Sequence, residues 1–89
     1  MNANTSSSQV ALVTGASRGI GAAIALELAR QGFRVIGTAT SDEGAAKITQ
    51  ALAAHVGCMG VNLNVNDAPA VEALVDRIVT EQGGLHVLV

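Results

Sequence analysis

Two rhythms of apolar and polar positions take turns along this chain. Val10–Val13 (VALV) is an uninterrupted apolar run of strand length. Thr14-Gly15-Ala16-Ser17-Arg18-Gly19-Ile20-Gly21 follows at once, and its three glycines turn the chain there. From Ile20 the spacing is helical. Ile20, Ile24 and Leu28 recur every four residues beside Ala23 and Ala25, with Glu27 and Arg30 off that row. Gly32 is placed to end the helix. Phe33–Ala39 (FRVIGTA) predicts a second strand. Ser41 is a good N-cap for a second helix, and Asp42 and Glu43 suit its positive end. Ala45, Ile48 and Leu52 form the stripe of that helix, and Gly57 breaks the pattern.

Met59–Val65 (MGVNLNV) alternates with period two and predicts a third strand. Asp67 and Pro69 open a third helix, whose expected core stripe is Val71, Leu74, Val75, Ile78 and Val79. Gly83-Gly84 stops it, and Leu85–Val89 (LHVLV) predicts a last strand. Strands that alternate with helices imply a parallel sheet with right-handed crossovers. Apolar strand runs fit a sheet covered on both faces. The expected fold class is α/β, a Rossmann-type doubly wound parallel sheet whose first four strands lie in the order 3-2-1-4. In that order the fourth strand would keep an open apolar edge, which natural sheets avoid. Residues 9–89 are therefore expected to be the N-terminal part of a larger domain of this fold, truncated after the fourth strand, behind a flexible polar tail at residues 1–8. The alternative is a complete four-stranded mini-domain, which would bury little surface for its size.

Composition narrows the function classes. The chain has 89 residues, 49% apolar and 13% charged, which excludes a disordered chain. The net charge is −2 and the five basic residues are scattered, which argues against nucleic acid or a membrane surface as partner. Met1–Gln9 carries no Lys or Arg and no apolar run follows of signal-peptide length. Nor does any run approach the roughly 20 residues of a membrane span. A soluble cytoplasmic protein is the expectation. Cys58 is the only cysteine, so no internal disulfide can form. His55 and Cys58 lie three apart but lack further ligands for a metal. His86 stands in an apolar strand and reads as structural, and Cys58 reads as a small hydrophobe.

The chemistry is concentrated in the glycine-rich turn. Gly15, Ala16, Ser17, Arg18, Gly19, Ile20 and Gly21 join a strand to a helix within a β-α-β unit. A loop that brings its backbone close to a diphosphate has no room for Cβ atoms at the points of approach. Free N–H groups at the helix start face the anion, and the helix dipole adds favourable potential. The alternative is a plain glycine-rich turn, which the position after the first strand disfavours. An NAD site commonly has Asp or Glu at the tip of the second strand. Here the tip is Gly37-Thr38-Ala39-Thr40, and Asp42 and Glu43 come later as helix-start residues. Arg18 offers a permanently charged fork and Thr40 a hydroxyl, both suited to a 2′-phosphate. NADP(H) is the expected cofactor, with a solvated loop arginine as the alternative for Arg18.

TGASRGIG resembles the Thr-Gly-x-x-x-Gly-x-Gly signature of the short-chain dehydrogenases/reductases. The likeness extends over residues 9–89, through VALVTGASRGIG, VIGTATS, NLNVND and LHVLV. VIGTATS (Val35–Ser41) looks most like the bacterial 3-oxoacyl-[acyl-carrier-protein] reductases of the family. The resemblance assigns Arg18 and Thr40 to the 2′-phosphate, and Asn64 and Val65 to the adenine ring. A side-chain amide can serve a base edge as donor and acceptor; the alternative for Asn64 is a turn residue at a strand end.

The resemblance also implies NADPH-dependent reduction of a 3-oxoacyl thioester on acyl-carrier protein, in fatty-acid synthesis, by a homotetrameric parent. In the family a Tyr supplies the proton, helped by a Lys four residues on and by Ser and Asn. The family's Asn-Asn-Ala-Gly stretch would begin after Val89. This chain has no Tyr, and its one lysine, Lys47, is in the second helix. It is expected to hold the cofactor half, to bind weakly alone and to be inactive. Another short-chain reductase, of acetoacetyl-CoA or sugar type, and a non-catalytic nucleotide sensor remain as alternatives.

Overall fold

A computed structural model describes residues 9–89. The tail expected at residues 1–8 lies outside the described residues. Strands and helices alternate throughout: β1 (Val10–Val13), α1 (Gly19–Arg30), β2 (Arg34–Ala39), α2 (Asp42–Ala51), β3 (Met59–Asn62), α3 (Ala68–Gln82) and β4 (Val87–Leu88). The four strands form one sheet in the order β3-β2-β1-β4. Every pairing is parallel, with Leu12 opposite Ile36 and Leu88, and Thr38 opposite Val61. This is the expected Rossmann-type α/β fold.

Alternation within β1 explains why its run is apolar at every position. Ala11 and Val13 join one core with Val35, Ala39, the Ala25 and Ala29 row of α1, and Ile48 and Leu52. Val10 and Leu12 join a second core with Ile36, Leu63 and the Leu74 and Ile78 row of α3. The central strand thus feeds two hydrophobic layers. Replacing a fully packed side chain such as Leu12 by Ala would cost about 2–5 kcal/mol.

The helix that leads away from the glycine loop is turned differently from its sequence pattern. Ile20 leads the apolar row of the sequence pattern, yet it is 80% exposed. The buried row is instead Ala25 and Ala29, in line with Gly21 at the same spacing. Gly21 fixes this rotation: a Cβ built on it would fall on the Gly15 carbonyl oxygen. Ile24 and Leu28 flank the contact and stay partly buried. The helix ends in two reverse hydrogen bonds, Gly32 N–H to Ala29 O at 3.0 Å and Phe33 N–H to Leu28 O at 3.1 Å. That Schellman pattern satisfies two end carbonyls and delivers the chain into β2 one residue later than expected.

Three further expectations are corrected. β3 stops at Asn62, not Val65. The Leu63 N–H still reaches Ala39 O at 2.8 Å, but the Asn64 side-chain oxygen then accepts from Asn66 N–H at 2.9 Å and starts a turn. An Asn side chain offers the backbone this alternative to a ladder. On α3, Val79 was expected in the core and is 46% exposed, with Leu74 and Ile78 carrying the buried row. Asp67 caps α3 by accepting from Ala70 N–H at 3.2 Å, and Gly83 ends it in the left-handed conformation. The β4 ladder is confined to Val87–Leu88, although hydrogen bonds from His86 N–H to Val10 O and from Val89 N–H to Leu12 O extend its pairing.

Candidate nucleotide site

The carboxyl ends of β1, β2 and β3 open into a cleft of about 360 Å³. In open α/β sheets this is where ligands bind. The glycine loop forms one wall with Thr14, Gly15, Ser17 and Arg18; Thr38, Ala39 and Thr40 close the second; Leu63 and Val65 close the third.

The loop is held from below by its neighbours. Thr38 is buried, 1% exposed, in a strand whose other buried residues are apolar. Its hydroxyl accepts from Gly15 N–H at 3.3 Å, and its carbonyl accepts from Ala16 N–H at 2.8 Å. On the other side, the N–H and hydroxyl of Thr14 both donate to Val89 O, at 3.1 and 3.0 Å. Sequence reasoning assigned no role to Thr38. The signal was there: a hydroxyl in a buried strand must find a partner.

Gly15 and Gly19 have φ of +62° and +64°, which an L side chain adopts only at a cost. No described atom lies near a Cβ built at either position, so backbone conformation and not crowding within the chain requires glycine there. Arg18, in extended conformation, is the N-cap of α1, and its side chain makes no capping bond. No acidic residue stands in that first turn. By contrast, Ser41 caps α2 by accepting from Gly44 N–H at 3.0 Å, and Asp67 caps α3. The initial N–H groups of a helix lack intrahelical acceptors. At α1 they are left without a side-chain cap, beside a loop stripped of Cβ atoms. This donor set fits the diphosphate of a dinucleotide.

The structure brings most of the expected residues to one place. Gly15, Ser17, Arg18, Thr40 and Val65 line the cleft. Gly19, Ile20 and Gly21 form the adjoining first turn of α1. Ala16 is buried under the loop and packs in the core. Asn64 stands between two cleft residues, Leu63 and Val65, but its side-chain oxygen is engaged by Asn66. Of the two early acids, Asp42 accepts from the Asn62 amide at 3.0 Å. Glu43 borders a second, polar cleft of about 230 Å³ that shares Ser17, Arg18 and Thr40 with the first.

The residues read as structural have structural partners. The His86 Nδ1 accepts from Val10 N–H at 3.0 Å. The Cys58 Sγ accepts from Val35 N–H at 3.3 Å. Among the described residues no cluster of His, Cys, Asp or Glu is placed to hold a metal ion, and no helix is long and apolar enough to cross a membrane.

A parallel sheet in this order, with a glycine loop and an uncapped helix at its carboxyl end, defines a dinucleotide-fold protein. The chain belongs to the short chain dehydrogenase family, whose pattern matches residues 9–89. It is similar to the 3-oxoacyl-[acyl-carrier-protein] reductase FabG of Escherichia coli (strain K12), 49% identical over 81 residues, covering 91% of this chain and 32% of the relative. FabG of Vibrio cholerae is 51% identical over the same length and coverage. FabG of Pseudomonas aeruginosa is 56% identical over 71 residues, 79% of this chain and 29% of the relative. The chain thus spans about a third of the length of these curated relatives.

Proposed function

We propose that residues 9–89 are the NADP(H)-binding N-terminal part of a 3-oxoacyl-[acyl-carrier-protein] reductase. The observation that carries this reading is the uncapped start of α1 beside Gly15 and Gly19, with Arg18 at the cleft and no acid at the tip of β2. The likeness to FabG supports the substrate, a 3-oxoacyl thioester on acyl-carrier protein. The backbone N–H groups of the loop and α1 hold the diphosphate. Arg18 and Thr40 hold the 2′-phosphate, and Asn64 and Val65 border the adenine. The bound cofactor supplies the hydride for a 3-oxo group.

Protonation of that oxygen in the family falls to a Tyr, and this chain has none. The catalytic step is assigned in this reading to the rest of a longer parent, since the chain spans about a third of its relatives. The resemblance supports a homotetramer for that parent, and a cytoplasmic location is part of the same proposal. The test is calorimetric titration of the full chain with NADPH and NADH, followed by an NADPH-oxidation assay with a 3-oxoacyl thioester. The expected result is weak binding that favours NADPH, with no turnover. Equal affinity for both nucleotides overturns the cofactor assignment, and turnover overturns the division of labour.

A further inference from the structure

The chain carries five cations, four arginines and Lys47. Three of them have partners. Arg30 pairs with Glu27 at 3.8 Å, Arg77 pairs with Glu81 at 3.3 Å, and Arg34 donates to Gln82 at 3.1 Å. Arg18 and Lys47 form no ion pair with any described residue. Both border the same polar cleft of about 230 Å³, beside Ser17, Thr40, Ser41 and Glu43.

Lys47 comes to this cleft from the second turn of α2. It also borders the apolar groove between α1 and α2, with Ala22, Leu26 and Ile48. A lysine suits such a border, because its methylene stem and its ammonium prefer different surroundings. Glu43 stands one turn earlier on the same helix and contributes a negative charge to the cleft. Arg18 and Glu43 alone would leave the cleft without net charge. Lys47 makes the balance positive, and that is what a phosphate dianion entering there requires.

We infer that Lys47 is a specificity-determining residue, the second cation for the 2′-phosphate of NADP(H), opposite Arg18 across the polar cleft. The inference rests on the cofactor reading above and deepens it. Ser17, Thr40 and Ser41 supply hydroxyls around the phosphate. Arg18 contributes a planar fork with directed hydrogen bonds. Lys47 contributes a point charge on a flexible stem that adjusts to the phosphate once it arrives.

The test compares adenosine 2′,5′-bisphosphate with adenosine 5′-monophosphate, which differ only in the 2′-phosphate, on the full chain and its Lys47→Gln and Lys47→Arg variants. Calorimetric titration at low ionic strength reads both affinities, and circular dichroism confirms that each variant is folded. Lys47→Gln is expected to weaken the bisphosphate about three- to fivefold, the size of an exposed ion pair, and to leave the monophosphate unchanged. Lys47→Arg is expected to retain the wild-type ratio. An unchanged ratio in Lys47→Gln, or an equal loss in Lys47→Arg, overturns the role of Lys47 and leaves the cofactor reading standing. Wild-type chain that binds neither nucleotide overturns the cofactor reading, and this inference with it.

Discussion

The N–H of Gly15 donates to the buried hydroxyl of Thr38 at 3.3 Å, joining the glycine loop to the neighbouring strand 23 residues away. The Thr38 carbonyl takes the next N–H, that of Ala16, at 2.8 Å. One residue of β2 therefore sets the height of the loop above the sheet. The cleft depends on that height, because the same strand's end forms its second wall.

Removing the hydroxyl while keeping the shape isolates its contribution. Thr38→Val leaves the Gly15 N–H without its acceptor at a part-buried position. An unsatisfied group of this kind costs about 1–3 kcal/mol. Urea denaturation should show a loss in that range, and hydrogen exchange at Gly15 should accelerate. Thr38→Ser, which keeps the hydroxyl, should lose less stability and retain slow exchange at Gly15. Equal exchange rates in both variants would show that the hydroxyl does not anchor the loop.

The two kinds of glycine in the loop should respond differently to Ala. Gly15→Ala meets open space but places an L residue at φ +62°, a strain of about 1–2 kcal/mol. At Gly21 the new methyl meets the Gly15 carbonyl oxygen, a backbone atom that moves only with the loop itself. Forcing α1 off the sheet costs about 1–3 kcal/mol as overpacking, and it also shifts the first-turn donors. Gly21→Ala should therefore abolish nucleotide binding in calorimetric titration. Gly15→Ala should weaken binding while the thermal midpoint falls only modestly.

Arg18 offers the opposite profile. It is exposed and unpaired among the described residues, so Arg18→Ala should change stability by no more than about 0.5 kcal/mol. Its hydrogen bonds to a phosphate are charge-assisted, worth about 1.5–3 kcal/mol, or roughly ten- to a hundredfold in affinity. NADPH affinity should fall by that factor and NADH affinity should not. A parallel loss for both nucleotides would place Arg18 at the diphosphate instead.

Much of this architecture could be read from the chain because local and global signals agree. VALV followed by three glycines gave the strand and the loop, Ser41 and Asp67 gave two helix starts, and Gly32 and Gly83 gave two ends. Asn64 and Val65 show where local pattern misleads. The alternation in MGVNLNV continues through Val65, but the Asn64 side chain competes with the ladder and wins. Thr38 was named at the strand tip without a role, since nothing local shows which backbone group its hydroxyl meets across the sheet. The buried face of α1 is hidden from the apolar pattern for a related reason. Its rotation is set by a backbone contact between Gly21 and Gly15, and glycines carry no weight in a hydrophobic pattern.

That rotation leads to an expectation opposite to the one from periodicity. Were Ile20, Ile24 and Leu28 the core row, Ile20→Ala would create a cavity costing about 2–5 kcal/mol, and Ala25→Leu would be absorbed at the margin. In this structure Ile20 is 80% exposed and Ala25 is 2% exposed against the sheet. Ile20→Ala should therefore alter stability by no more than about 0.5 kcal/mol. Ala25→Leu should cost about 1–3 kcal/mol, because α1 approaches the sheet through a row of small residues and a leucine there lifts it away. Urea denaturation of the two variants decides between the faces. A lifted α1 also withdraws its N-terminal donors from the cleft, so Ala25→Leu should weaken nucleotide binding from beneath the helix.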